Sequence, residues 1–478
     1  MELRYNGTGN VVIEGKEAVC HLYTNKEEGG VLFKLEVQDA LASELTFPRI
    51  LEQLYVELSN GYRVILLNCT RVGGTSSKIP SGITTFTFNA KYHITDFGSG
   101  EEFENKFDSI YFYTLGLLDW GGIYAYGIDK EYKVFDEKKE DISIYEDEEI
   151  LVSYGVSGSF LPVHESELAR DIIELKQESY FKIEFKKATE LNNFFDVFKK
   201  IKRLAEFTAL KTIHPNRIEA YSNSNFDMID EHKFIRKINV LSSEVNETIP
   251  SSYDGIERLV TIHLEELARN DSFNKYMSRY DLFEPIIELY LEMLYNKDIS
   301  NVRLFLSIIE ALETYHSRFK ANTIDDFNVR LQTLLGEMTE SNKKYYEDFL
   351  LGESNNKNQR FIFLKNRLAD LLLADNKVSF DIGDIERMEF SDVISSTRNY
   401  YIHYDESIKT RARILSEEEI SIYNRTLLVI LEFHLYTEIG FINEQYLLKK
   451  LYQRWERASS ILDIERAFTH KYGEQKNS

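Results

Sequence analysis

Apart from one helical stretch over about 190–210, the hydrophobic period of this chain is that of strands up to about residue 250 and that of helices beyond it, and no other feature restricts its fold as much. Up to that point short apolar runs alternate from residue to residue, as strands with one buried face do; beyond it apolar residues return at every third and fourth position, as on helices. One polypeptide must therefore build two kinds of core, a β-rich domain over about 1–250 and a helical domain over 251–478. The length of 478 residues agrees, being more than a single hydrophobic core usually covers.

In the first part Val11–Glu14 and Ala18–Tyr23 flank a turn containing Gly15, and Val31–Val37, Tyr62–Cys69 and Thr85–Ala90 follow, the last with Phe86 and Phe88 on one face. Short strands at this spacing predict an antiparallel sandwich or a barrel-like sheet, and a sandwich is the favoured arrangement. Trp120-Gly121-Gly122 reads as a turn beside a buried Trp, and the acidic run from Asp136 to Glu149 as a solvated loop leading into a strand. Ser179–Phe185 reads as a long late strand. A helix over about 190–210 then carries Phe194, Phe195, Phe198 and Ile201 on one face and Lys199, Lys200, Lys202 and Arg203 on the other, and two further strands, Arg217–Ser222 and Lys233–Ser243, close the domain.

The second part predicts helices over Gly255–Asn270, Asp281–Tyr295, Asn301–Lys320, Phe327–Glu340, Lys343–Leu350, Gln359–Ala374, Ser391–Asp405 and Glu417–Gly440. Ser300 stands where a helix cap belongs. Ser416 and Glu419 form a capping-box pattern, and Gly440 can close the helix they open. The nearly unbroken apolar run Leu427–Leu435 implies a helix buried on most sides of a bundle. His316 and His434 lie on apolar stripes without clustered metal ligands and read as core histidines.

Chemistry concentrates in Arg398-Asn399-Tyr400-Tyr401-Ile402-His403-Tyr404. On a helix Asn399 and His403, four apart, share a face, and Arg398 lies one step round. A guanidinium can hold a phosphate, an amide can orient an imidazole or contact the phosphate, and an imidazole is suited to proton transfer near neutrality. The same Arg-to-His spacing recurs at Arg258–His263, but there Leu259, Val260 and Ile262 read as core and no amide follows the Arg. In the loop expected after the motif, Lys409, Arg411 and Arg413 are candidate phosphate contacts, and Tyr404 is a candidate for stacking on a base.

A formal net charge of −22 argues against binding nucleic acid with the whole surface, though not against a small basic site. Cys20 and Cys69 are expected as buried, reduced thiols. The chain lacks the phosphate loop, the dinucleotide fingerprint, the serine elbow, the His-Glu-x-x-His zinc motif and the Cys-x-x-Cys pair, which removes the usual signatures of nucleotide hydrolysis, serine-esterase chemistry and zinc sites. With no export signal and no long apolar segment, the expectation is a cytoplasmic protein that does not engage a membrane.

The segment Ser396–Tyr404 resembles the motif of HEPN domains, helical bundles whose Arg-polar-x-x-x-His motif cleaves RNA in many toxins and defence proteins. The order of β-rich domain, connecting helix and motif-bearing bundle, together with the helix segment Ile309–Glu313, is similar to ApeA-type anti-phage proteins. The resemblance implies an α+β chain with an abortive-infection role: a metal-independent endoribonuclease, without cofactor, acting on RNA as a homodimer in response to a phage-derived trigger. Arg398, Asn399 and His403 would be its catalytic residues. The competing readings are a non-catalytic HEPN-like dimerisation or binding module whose β domain binds a phage protein or a carbohydrate, and an antitoxin-like or nucleotide-modifying partner of another protein.

Overall fold

The computed structural model describes residues 6–25, 30–38, 47–76, 83–97, 105–131, 134–137, 140–158, 175–229, 231–242, 262–296, 298–320, 336, 338–340, 363–372 and 384–455. Two compact units divide the chain: Met1–Ala205 with Thr212–Ser251 and His263–Glu265, and Glu206–Lys211 with Ser252–Ile262 and Glu266–Ser478.

The first unit is an antiparallel sheet that closes on itself at one end. Strands β1 (Gly7–Ile13), β2 (Lys16–Asn25), β3 (Gly30–Gln38), β4 (Ile50–Leu58), β5 (Arg63–Ser76) and β6 (Ile83–Thr95) pair in the circuit β6-β3-β2-β1-β4-β5. Pairing of β5 with β6, from Ile65 opposite Ile94 to Ser76 opposite Thr84, joins the ends of that circuit and makes a six-stranded barrel. Of the two arrangements the sequence allowed, these strands take the barrel rather than the favoured sandwich. Closure removes the free edges that a stacked pair of sheets would expose.

Alternation supplies the barrel core: Val11, Ile13, Cys20, Phe33, Val56 and Phe88 point inward and are fully or almost fully buried. Phe33 and Phe88 stack at 5.3 Å, and Phe47 stacks on Phe86 at 4.6 Å. Cys20 and Cys69 lie in this core as free thiols, and burial pushes each up to about 12.

The sheet continues away from the barrel through β7 (Lys106–Thr114), β10 (Ile142–Glu146), β11 (Ile150–Gly158), β12 (Gln177–Glu190), β13 (Pro215–Ile229) and β14 (His232–Ser242), in the order β10-β11-β12-β7-β13-β14-β6, while β8 (Tyr126–Ile128) and β9 (Val134–Asp136) form a separate hairpin. The one-turn helix α1 (Leu118–Gly121) buries Trp120 and ends on Gly122 at φ 68, a left-handed position natural to glycine. Helix α2 (Leu191–Ala209) puts Phe195 and Phe198 against Phe112 of β7, the Phe198 ring stacked at 4.1 Å; a pair of this kind contributes about 1 kcal/mol beyond its area.

The second unit is helical: α3 (Leu264–Arg269), α4 (Ser272–Met277), α5 (Tyr280–Tyr295), α6 (Asn301–Phe319), α7 (Leu364–Leu371), α8 (Asp384–His403), α9 (Glu406–Lys409), α10 (Glu417–Glu438) and α11 (Glu444–Arg454). Both expected caps form. Ser300 accepts from the Arg303 N–H at 3.2 Å, and Ser416 and Glu419 bond each other's backbone in a capping box. Gly440 follows α10 at φ 107. As its apolar run implied, α10 is buried almost continuously from Thr426 to Tyr436.

Two histidines are core residues here. His316 bonds Asp370 at 2.8 Å, and His434 bonds the Leu371 carbonyl at 2.9 Å. The expected helices Phe327–Glu340 and Lys343–Leu350 fall almost wholly outside the described residues, as does the start of Gly255–Asn270.

Candidate active site

Helix α8 positions the motif. Phe390, Val393, Ile394, Thr397 and Tyr400 recur at helical spacing and turn one face inward. Arg398 and Asn399 flank that buried stripe, and His403, in the last turn, is exposed. Two bonds pin the segment after the motif to the same helix: the Thr397 hydroxyl accepts from the Leu415 N–H at 3.1 Å, and the Tyr401 hydroxyl donates to the Leu415 carbonyl at 3.2 Å.

Arg398 is held on two sides. Its Nη1 donates to Asn399 Oδ1 at 3.2 Å, and its Nη2 lies 3.8 Å from Glu313 Oε2 on α6. Glu313 also takes Arg367 of α7, at 3.3 Å. Of the two roles open to the Asn399 amide, the hydrogen bond to His403 does not form among the described residues. Asn399 orients the guanidinium instead, while His403 projects from the exposed face of the helix end. Ile402 beside it is 44% exposed.

Tyr404 terminates α8. Its N–H bonds the Tyr400 carbonyl at 2.6 Å, and its φ of 50 is a left-handed conformation that a bulky side chain adopts only at a cost of about 1–2 kcal/mol. The following segment was expected to be a loop and instead holds the one-turn helix α9. Its cause is local: Asp405 caps it by accepting from the Ser407 N–H at 2.8 Å.

The three cations of this segment part company. Lys409 lies 4.4 Å over the Tyr400 ring and 3.1 Å from Glu406, and its bonds to Tyr400 and Glu406 hold it above the ordinary lysine range. Arg413 reaches Glu419 at 3.6 Å. Arg411 folds back onto Ser407, bonding its carbonyl at 3.1 Å and its hydroxyl at 2.7 Å. Lys409, Arg413 and Tyr404 line one cleft of about 990 Å³, together with the start of α6, and neither Arg411 nor the Arg398-Asn399-His403 triplet lines it.

Motif spacing singles out neither Glu313 nor Arg303. Both sit on a helix surface, and only folding shows that one meets Arg398 and the other a cleft. The second Arg-to-His match does not build a similar site: His263 bonds the Asp119 carbonyl at 3.1 Å, and Arg258 lies outside the described residues.

A helical bundle presenting an Arg-Asn-x-x-x-His motif on an open helix end is the arrangement of a HEPN domain. Two family models match the chain, ApeA N-terminal domain 1 over residues 5–280 and Apea-like HEPN over residues 306–445. The chain belongs to the ApeA family, which makes it an anti-phage effector of the HEPN class. No curated protein and no solved structure matches it. Among the described residues no helix is long and apolar enough to cross a membrane.

Proposed function

We propose that this chain is a metal-independent endoribonuclease that stops phage production by cutting RNA. The supporting observation is Arg398, steadied by Asn399 and Glu313, one residue round the helix from the face on which His403 stands exposed. In the proposed reaction a ribose 2′-oxygen attacks its own phosphate as His403 accepts the hydroxyl proton. The bond from phosphorus to the 5′-oxygen breaks, that oxygen takes up a proton, and a 2′,3′-cyclic phosphate and a 5′-hydroxyl remain. Arg398 stabilises the charge that builds on the phosphoryl oxygens.

One imidazole carries out one proton transfer at a time, so a second copy supplies the other. The homodimer and a phage-derived trigger are parts of the same proposal, as is phosphate contact by Lys409 and Arg413. Arg411, committed to Ser407, has to leave that bond before it can join them.

The test is RNA integrity in cells expressing wild type, His403→Ala or His263→Ala at equal levels, with and without infection. New RNA ends bearing cyclic phosphates are expected from wild type and His263→Ala and not from His403→Ala, and purified protein should keep its activity in a chelator. Equal RNA profiles from all three proteins in phage-resistant cells would move the function to the β domain.

A further inference from the structure

The cleft beside the motif has a composition that the catalytic triplet does not explain. Its walls bring together the rings of Tyr400, Tyr401 and Tyr404 with Arg303, Lys409 and Glu417. Tyr404 is 66% exposed, and Tyr400 and Tyr401 meet it edge-on at 5.9 and 6.3 Å. These neighbours brace the ring and leave it open to a planar ligand. The chain also holds this aromatic residue at a φ where glycine would sit without strain, and backbone strain of that kind gathers at functional sites. Arg303 is exposed and has no ion pair among the described residues. Glu417 suits the N–H donors of a base edge and repels a phosphate.

We propose that this cleft is a base-binding subsite in which an unpaired nucleotide of the RNA substrate, adjacent to the phosphate being cut, stacks on Tyr404 while Arg303 and Lys409 hold its flanking phosphates. The inference rests on the ribonuclease reading and deepens it, since it makes single-stranded RNA the substrate class. Stacking on an aromatic ring selects unpaired bases, because a paired base offers no free face. Tyr404 follows His403 directly in the chain, so the base site adjoins the motif. The volume of about 990 Å³ is that of a ligand site and leaves room for a nucleotide.

The experiment uses full-length His403→Ala protein and short oligoribonucleotides carrying 2-aminopurine at one position at a time, because stacking quenches this base. Quenching is expected at one position, retained in Tyr404→Phe and lost in Tyr404→Gly with about tenfold weaker binding. The glycine variant relieves the left-handed strain and should unfold in urea no earlier than its parent, so lost quenching reports the missing ring. Arg303→Gln should weaken binding and lower the salt dependence by about one phosphate contact.

Unchanged quenching in Tyr404→Gly, or RNA binding with quenching at no position, overturns the subsite. Equal quenching of free 2-aminopurine ribonucleotide overturns it in favour of a free-nucleotide site. The two readings separate on cleavage by protein with His403 intact. If wild type cuts RNA and Tyr404→Gly cuts at the same positions and rate, the subsite fails and the nuclease stands. If wild type cuts nothing while Tyr404-dependent quenching persists, the nuclease fails and the base site stands.

Discussion

Replacing Arg454 by methionine should unfold the helical unit more readily than any substitution in the motif. Arg454 and Glu432 are both fully buried, 3.0 Å apart, and Arg454 also reaches the Tyr436 hydroxyl at 2.7 Å. Its other nitrogen donates to the carbonyls of Phe207 and Thr208 at 3.0 and 2.9 Å, two of the acceptors that the end of α2 leaves without helical partners. Burial raises the pKa of Glu432, and Arg454, Tyr290 and Trp455 pull against that. Removing the guanidinium strands a carboxylate in the interior, which costs about 3–5 kcal/mol, and strips two carbonyls at about 1 kcal/mol or more each. A loss of about 5 kcal/mol is comparable with the whole stability of a domain at the low end of the usual range.

Trp455 makes the assay direct, because its indole donates to Glu432 at 2.7 Å and its fluorescence reports on this network. Urea unfolding should show the loss in Arg454→Met. Adding Glu432→Gln removes the stranded charge while keeping an acceptor for Tyr290 and Trp455, so the double variant should be more stable than Arg454→Met by about 2 kcal/mol. A single variant within about 1 kcal/mol of wild type, or a double variant less stable than the single, would refute this account of the network.

Glu313→Gln should lower kcat by at most about fivefold with KM little changed, because its contact with Arg398 is about one-third exposed at each end and screened by solvent; a loss approaching that of His403→Ala would show that Glu313 does more than steady the guanidinium. Acid should destabilise both units. Burial lowers His93 to about 3 and His434 to about 4, so the unfolded chain takes up protons that the folded chain refuses, and stability that is full above about pH 6.5 is lost as the pH falls towards those values. For His434 the loss is about 3 kcal/mol by pH 4. His434→Gln can keep the bond to the Leu371 carbonyl without titrating, and should flatten the acid limb of a urea-unfolding series; an unchanged slope would refute the assignment.

What could be read before folding was whatever depends on neighbours in the chain. The alternation at Phe86 and Phe88, the Ser300 cap, the Ser416–Glu419 capping box and the helical phase of Asn399 and His403 are all local, and each is present. Strand β7, central in the sheet, gave no clear alternation, because side chains on both of its faces are covered. Helix α11 buries only Leu447, Leu451 and Arg454, too little apolar pattern to announce itself.

By itself, then, the sequence determined the order of a β-rich and a helical part, the capped starts of α6 and α10 and the triplet on α8, since spacing of a few residues sets these, whereas α8 begins at Asp384 rather than at the expected Ser391. Only the tertiary structure decided that β3 meets β6 and β1 meets β4 to close a barrel, that Glu313 reaches Arg398, that Arg411 turns back to Ser407, and that Arg303 joins three tyrosines at one cleft. Apart from the short-range turn of Arg411, these pairings join residues far apart in the chain, and the packing of whole elements chooses among many partners that local pattern leaves equivalent.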